Sequence, residues 1–160
     1  MTDVKDFKNF DFFNAFSEAQ LKEIAKVTEK KTFKKGSEIY KEGTRANHIF
    51  LVSKGWVSLR KIDPEKDIGI SFENREKGEL FGTACFMKPQ EYTLNAICME
   101  DSEVLAMNAD KLFDLFQKDN EIGYRFIKEV AKVYFERYKS VKKQLHEMVK
   151  APAIITALPG

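Results

Sequence analysis

The middle of this 160-residue chain is a series of short β-rich runs, most of them separated by glycine, and this pattern constrains the fold more than any other feature. Between about residues 33 and 107 the runs are rich in β-branched and aromatic residues, which favour strands. Tight turns between strands require a positive φ, which glycine adopts without strain. The separating glycines are Gly36, Gly43, Gly55, Gly69 and Gly78. The pattern predicts about eight short strands in an antiparallel jelly roll or barrel, with Gly36, Gly43, Gly55 and Gly69 in its turns. Gly78 and the nearby Gly82 could lie in turns or at a close approach to a ligand.

Helical patterns flank the β-rich region on both sides. Before it, the segment FSEAQLKEIAKVTEKKTF predicts a helix that Ser17 caps. After it, NADKLFDLFQKD predicts a second helix with Asn108 as its cap, and a longer helix is predicted from about Glu121 to Val149. We therefore predict an α+β fold, in which an antiparallel β-roll or jelly roll carries an N-terminal helix and C-terminal helices, one of them long.

Composition and charge exclude several classes of protein. Hydrophobic residues make up 43% and charged residues 32% of the chain, which is typical of a soluble globular protein. The net charge of +2 gives no reason to expect non-specific electrostatic binding of nucleic acid, which needs a clustered basic face. The N-terminus lacks an apolar signal core, and no apolar run is long enough to cross a membrane. We expect a cytoplasmic protein without membrane contact, in which Cys85 and Cys98 are free, buried thiols.

The glycine-separated runs resemble the opening of cyclic nucleotide-binding domains. In residues 33–61 the shared features are a glycine after a lysine (Gly36), the pair Glu42 and Gly43, and an aromatic and apolar strand that ends at Gly55. The segments GELFG, YTLNA and SEVLAM then follow in the order and at the spacing of the family. Several glycines in register with the strands and flanked by the right helices are stronger evidence than any single glycine motif.

The resemblance covers residues 7–148 and is to a standalone sensor domain like that of catabolite activator protein, with a degenerate phosphate-binding cassette. It implies a cyclic nucleotide-binding-like domain at 1–150, with the β-roll at about 33–107 and the long helix at about 121–149. Residues 151–160 would then be a tail.

Residues 78–96, GELFGTACFMKPQEYTLNA, correspond to the phosphate-binding cassette of that family, and we call them the cassette. In family members that bind cAMP or cGMP, a glutamate after the FG glycine contacts the ribose, and an arginine before Ser or Thr pairs with the phosphate. These two positions hold Thr83 and Tyr92 here, whereas Thr93 matches the family. The resemblance implies these ligand-binding residues in the cassette: Phe81, Gly82, Thr83, Ala84, Cys85, Tyr92, Thr93 and Leu94.

The cassette therefore lacks both charged side chains of the family site. Leaving a buried charge without its partner costs on the order of 3–5 kcal/mol, which is roughly two to three decades of affinity. Arg75 and Lys88 could compensate, or could be ordinary solvated charges. Thr83 and Tyr92 can still form hydrogen bonds or stack, which favours a less charged ligand or none. In some members of this fold an aromatic residue or the protein's own tail fills the pocket, and Tyr92 or the apolar tail 151–160 could do so here.

An apolar stripe along the long helix predicts a homodimer. Its residues lie close to a 3–4 spacing, although Arg137 interrupts it: Ile127, Val130, Tyr134, Val141, Leu145 and Met148. Such a stripe packs on the roll or pairs with a second copy as a short coiled coil. The resemblance implies that this helix is the dimer seam and that Arg137 and Tyr138 reach the nucleotide base. Because only ten residues follow Lys150, too few for a helix-turn-helix, we expect no DNA binding by that route.

No sequence pattern indicates catalysis or a metal site. His48 and His146 are far apart in the sequence, and no P-loop, G-x-S-x-G or HExxH motif occurs. We expect that the protein has no enzymatic activity and binds no cofactor and no metal ion. The predicted function is a regulatory domain that binds cAMP, cGMP or a related small molecule in the cassette and signals through the C-terminal helix. The alternative is a protein-interaction or dimerisation module that has lost cyclic nucleotide binding.

Overall fold

The computed structural model of the chain describes residues 2–63, 65 and 68–157. The chain divides into two compact units, Met1–Gly123 and Tyr124–Gly160. The first unit contains every strand of the described residues, and the second consists of the greater part of the long C-terminal helix. Residues 78–96, the cassette, lie in the first unit.

The elements follow the predicted order of helix, short strands and helices. Three 3₁₀ helices lie at Val4–Asp6, Asp11–Ala15 and Thr83–Phe86. The α-helices are α1 (Glu18–Lys26), α2 (Ala109–Lys118) and α3 (Asn120–Ala157). The strands are β1 (Thr28–Phe33), β2 (Glu38–Tyr40), β3 (His48–Lys54), β4 (Val57–Asp63), β5 (Ile68–Arg75), β6 (Leu80–Phe81), β7 (Asn95–Cys98) and β8 (Ser102–Asn108).

The strands form two four-stranded sheets in which all pairs are antiparallel. One sheet has the order β1-β8-β3-β6 and the other has the order β2-β7-β4-β5. Strands distant in sequence are therefore neighbours in both sheets, as in a jelly roll. Fully buried side chains of β3 and β8 form a core on the face of their sheet opposite to His48 and Phe50: Ile49, Leu51, Leu105 and Met107. The predicted fold class is confirmed.

Residues Thr28–Phe33 form β1, whereas the sequence predicted that the first helix extends to Phe33 and that the roll begins there. The helix ends at Lys26, and the Thr28 hydroxyl donates to the Ile24 carbonyl at 2.7 Å. All 6 residues of β1 pair with β8. The local pattern of TEKKTF continues the helix, and pairing with a strand far along the chain overrides that pattern.

Gly55 occupies a turn that only glycine fits. Its φ is 81°, and a Cβ at this position would lie 2.8 Å from the Asp101 carbonyl oxygen. Other predicted turn glycines also have positive φ: Gly36, Gly43 and Gly78. Gly69 is different, because it lies within β5 and pairs with Ile62. The prediction of a turn at Gly69 was wrong, since the strand begins one residue before it.

The helices after the roll lie where the sequence predicted them. The Asn108 side chain caps α2 by accepting a hydrogen bond from the Lys111 amide at 3.0 Å. Helix α3 contains the predicted helix 121–149 and also includes residues 151–157 of the predicted tail. The division into a domain at 1–150 and a tail stays a prediction, and residues 158–160 lie outside the described residues. In the part of the chain that the structure describes, no helix is long and apolar enough to span a membrane.

Candidate ligand-binding site

The cassette begins with a glycine that two independent constraints require. Strand β6 ends at Phe81, and Gly82 follows with a φ of 75° as the N-cap of the 3₁₀ helix Thr83–Phe86. A Cβ on Gly82 would lie 2.9 Å from a ring carbon of Phe50 and 3.2 Å from the His48 carbonyl oxygen. The cassette backbone therefore approaches β3 as closely as it can. The close approach at Gly82 is made by the protein itself.

Tyr92, at the position of the family arginine, is buried within the first unit. Its side chain is 5% exposed, and its ring stacks on Tyr40 with the ring centroids 3.6 Å apart and the planes 10° from parallel. Its hydroxyl donates to the His48 carbonyl at 2.9 Å and accepts from the His48 amide at 3.2 Å. Burial raises the pKa of Tyr92 to about 12, so the phenol is neutral at physiological pH. The side chain predicted to stand at the family's phosphate-binding position is thus a neutral, buried aromatic ring.

Tyr92 belongs to a cluster of rings, which we call the aromatic cluster: Tyr40, Phe50, Phe81 and Tyr92. Phe50 and Phe81 stack with their centroids 5.0 Å apart, and Tyr40 stacks on Phe50 at 5.7 Å. The two phenylalanines are 4% and 1% exposed. Such ring pairs add stability beyond the area that they bury. The cluster therefore packs two cassette residues, Phe81 and Tyr92, against Tyr40 of β2 and Phe50 of β3.

The remaining cassette residues differ in their exposure. Thr83 and Ala84 are half-buried at the start of the 3₁₀ helix, and Cys85 is buried. Burial raises the pKa of the Cys85 thiol to about 12, so it carries no thiolate at physiological pH. Thr93 is exposed and Leu94 is half-buried. The structure brings the predicted cassette residues together on one loop, and whether they contact a ligand stays a prediction.

The two residues predicted to supply compensating charge lie in unlike surroundings. Arg75, at the end of β5, is buried, pairs with Glu73 and donates to the Asn74 carbonyl at 2.8 Å. It is therefore not a solvated surface charge, and these contacts direct its guanidinium to its own strand. Lys88 is exposed and precedes the cis peptide bond to Pro89.

Arg137 and Tyr138, predicted to reach the nucleotide base, lie on α3 in the second unit. The Arg137 guanidinium lies 5.2 Å from the centre of the Tyr134 ring, and Tyr138 is 60% exposed. Their contact with a base stays a prediction.

Sequence analysis did not assign Tyr40, His48 and Phe50 to the site. Tyr40 and His48 contact Tyr92 directly, and Phe50 stacks on Tyr40. One signal was available for two of them. His48 and Phe50 are alternate residues of β3 and so lie on one face of the sheet. Tyr40 comes from the other sheet, and no local pattern places it against that face.

The match to a family model decides the family of the chain. The model described as the cyclic nucleotide-binding domain matches residues 30–119, which is more than half of the chain and includes the whole cassette. The chain belongs to the cyclic nucleotide-binding domain family. The resemblance found in the sequence is confirmed.

Known members of the cyclic nucleotide-binding domain family are similar over most of this chain. A cGMP-dependent protein kinase of Drosophila melanogaster (isozyme 2, forms cD5/T2) is 27% identical over 134 residues, which cover 81% of this chain and 14% of the kinase. A protein of Geobacter metallireducens GS-15, provisionally assigned as a cyclic nucleotide-binding protein, has a crystal structure that matches with a TM-score of 0.75 and 26% identity, over 86% of this chain and 99% of that protein. The catabolite activator protein of Thermus thermophilus shares the fold, with a TM-score of 0.67 and 18% identity over 86% of this chain and 62% of that protein. The chain spans less than half the length of the curated relatives.

The described residues contain no group of three or more His, Cys, Asp or Glu side chains that could hold a metal ion. Cys85 and Cys98 are both buried and free, as the sequence analysis predicted.

Proposed function

We propose that this protein is a non-enzymatic regulatory domain that senses a small molecule at the cassette and responds through α3. Membership of a family of regulatory ligand-binding domains supports this function. The cassette also keeps the backbone on which the family builds its site, with Gly82 in the left-handed conformation before a short helix. A ligand shifts the position of α3 only if its affinity differs between two arrangements of the protein.

The ligand that we propose is less charged than cAMP or cGMP. The observation that carries this proposal is the buried, neutral Tyr92 in place of the arginine. Thr83, in place of the glutamate, provides a hydroxyl that can donate or accept a hydrogen bond. A cyclic phosphate would have to be desolvated without a cationic partner at Tyr92, at a cost on the order of 3–5 kcal/mol.

Titration with cAMP, cGMP and a panel of neutral and weakly charged metabolites tests this function. Thermal shift and calorimetry suit the purpose, because a ligand at about 100 times its Kd stabilises the folded state by roughly 2.7 kcal/mol. We expect cAMP and cGMP to give no saturation below about 1 mM, since the missing contacts cost two decades or more of affinity. We expect one of the neutral or weakly charged metabolites to raise the Tm by several degrees.

A double variant tests the role of the two replaced residues directly. Thr83→Glu with Tyr92→Arg restores the family's pair of charges and should tighten cAMP binding by about tenfold or more. The matched control is Thr83→Gln with Tyr92→Gln, which introduces polar side chains without charge and should give no gain. If the parent protein bound cAMP with micromolar affinity, the proposal of a less charged ligand would be contradicted.

A ligand-independent interaction module is the second candidate function. The observation that favours it is a stripe of mostly exposed residues along α3, whose spacing alternates between three and four: Tyr124, Ile127, Ala131, Tyr134, Tyr138, Val141, Leu145 and Met148. No response to any ligand in the panel, together with no gain in the charged double variant, would favour this module over the sensor.

The same stripe supports a homodimer in either case. Alternating spacings of three and four residues place side chains on one seam of a coiled coil, and two copies of one helix present matching seams. Val130 and Arg137, which the sequence analysis placed in or near the stripe, fall outside this spacing; Val130 is buried. We also propose that the protein acts in the cytoplasm, where two free cysteines remain reduced.

A further inference from the structure

A cavity of about 370 Å³ lies between the β1 and β2 edges of the two sheets. It is lined by residues of β1, β2 and β3, by the turn before β3, and by Tyr92. Apart from Tyr92, none of the predicted ligand-binding residues of the cassette lines it. This volume is within the range of small-molecule sites in proteins. The cavity is therefore a site separate from the cassette that shares only the Tyr92 ring.

Five ring side chains line the cavity: Phe33, Tyr40, His48, Phe50 and Tyr92. Phe50 and Tyr92 are buried and fixed by the stacking within the aromatic cluster. Phe33, Tyr40 and His48 are half-buried, so part of each ring faces open space. Burial lowers the pKa of His48, which keeps its imidazole neutral at physiological pH. Ring faces at this density favour a planar aromatic ligand over an aliphatic one.

The charged residues that line the cavity are all cations: Lys31, Lys41 and Arg45. Each one has a carboxylate partner outside the lining, since Lys31 pairs with Glu29 and Lys41 with Glu38, both at 3.6 Å. Arg45 pairs with Asp110 at 3.1 Å, and both of these side chains are 61% exposed.

These ion pairs leave the cations available to a ligand. Exposed pairs contribute about 0–1 kcal/mol, so exchanging one carboxylate for another costs little. The guanidinium of Arg45 can bind a carboxylate through two parallel hydrogen bonds. A ligand that combines an aromatic ring with a carboxylate would thus match both the ring side chains and the cations that line the cavity.

We infer that the cavity between β1 and β2 binds a small planar aromatic carboxylate, with its ring between the half-buried Phe33, Tyr40 and His48 and its carboxylate at Arg45. This site goes beyond the proposed function, because it needs neither the cassette nor a cyclic phosphate. One or two fused rings suit a cavity of about 370 Å³.

Calorimetry with benzoate and indole-3-acetate tests the inference, with benzamide and indole-3-acetamide as neutral matches and acetate as the anion without a ring. We expect each aromatic acid to bind about tenfold or more tightly than its amide, and acetate not to bind, because the site needs both the charge and the ring. Arg45→Gln should weaken binding of the acid by about tenfold, which is the loss of one charge-assisted contact. Lys41→Gln should weaken it by a smaller factor.

Lys34→Gln is the matched control, because Lys34 is an exposed lysine that pairs with Asp101 at 2.8 Å and lies outside the cavity. It should leave binding unchanged. The inference is overturned if neither acid binds at about 10 mM, a concentration that detects even millimolar affinity, or if acid and amide bind equally. It is also overturned if Lys34→Gln weakens binding as much as Arg45→Gln.

A cassette variant separates this site from the proposed function. Thr83→Val removes the hydroxyl of the cassette and leaves the cavity lining unchanged. Binding of the aromatic acid that survives this change but not Arg45→Gln supports the cavity. The reverse result would overturn the cavity and place the ligand at the cassette, as the proposed function requires.

Discussion

The Tyr92 hydroxyl is bonded to both the carbonyl and the amide of His48, so one side chain joins the cassette to β3. The same residue supplies a ring to the aromatic cluster through Tyr40. Tyr92, which the sequence analysis places at the arginine position of the family, therefore has a structural role.

Tyr92→Phe separates the hydrogen bonds of Tyr92 from its stacking. The variant keeps the ring but leaves the backbone groups of His48 without their partner, which costs about 1–2 kcal/mol for poorly solvated groups. We expect the Tm to fall by several degrees in thermal unfolding followed by circular dichroism. Tyr138→Phe, at an exposed position on α3, is the control and should leave the Tm unchanged. If Tyr92→Phe lowered the Tm no more than Tyr138→Phe does, the hydrogen bonds to His48 would contribute nothing to stability.

At the scale of the element, helix α3 combines a buried side with an exposed apolar stripe. Phe126 and Val130 are 0% and 8% exposed, whereas Val141, Leu145 and Met148 are 61%, 58% and 71% exposed. An isolated helix with so many exposed apolar side chains is unusual in a monomer. The stripe is the strongest structural support for a partner helix.

Val141→Lys together with Leu145→Lys should convert the proposed dimer to a monomer. Both changes place charges in the seam of the proposed coiled coil, where like charges repel and lose hydration. Sedimentation equilibrium should then give a mass of 18.5 kDa instead of twice that value. Ser140→Lys adds a lysine beside the stripe and should leave the mass of the dimer unchanged. A monomeric parent protein at micromolar concentration, or a double variant that stays dimeric, would exclude this seam.

Strand β1 shows how an element can depend on its partner. The run TEKKTF is charged and follows a good helix, so the local pattern extends the helix through it. Pairing with β8 over all 6 residues of β1 overrides that preference. Charged residues suit an exposed edge strand, because they discourage pairing with other chains.

At the scale of the whole molecule, two lysine–aspartate pairs join segments that are distant in sequence. Asp6, in the first 3₁₀ helix, accepts from Lys30 of β1 at 2.8 Å, and this hydrogen bond lowers the pKa of Asp6. Asp101 accepts from Lys34 at 2.8 Å and from the Lys35 amide, and the Lys34 bond is the main cause of its lowered pKa. Lys30 lies within β1 and Lys34 directly follows its last residue, so both pairs involve the edge strand that the local pattern fails to predict.

The lowered pKa values predict a loss of stability in acid. A carboxyl with a folded pKa below its unfolded value of about 3.9 stabilises the fold above that pH, and the contribution disappears as the pH falls through the folded pKa. Asp6→Asn with Asp101→Asn should therefore be less stable than the parent at pH 7 and should lose less stability on acidification from about pH 5 to pH 2. Urea unfolding across this range measures both effects. The control is Asp114→Asn, at an exposed position of α2, which should leave the pH dependence of stability as in the parent. A double variant with the pH dependence of the parent would contradict the roles of Asp6 and Asp101.

The sequence by itself determined the fold class and most of the turns, and it predicts that Thr83 and Tyr92 stand in place of the family's two charged side chains. These follow from local facts: the alternation of helical and strand patterns, glycines at positive φ such as Gly55, and the identities of Thr83 and Tyr92. The tertiary structure alone decided that TEKKTF is a strand, that Gly69 lies within one, and that Tyr92 stacks on Tyr40. Each of these depends on contacts between residues far apart in the chain, which a local pattern does not encode.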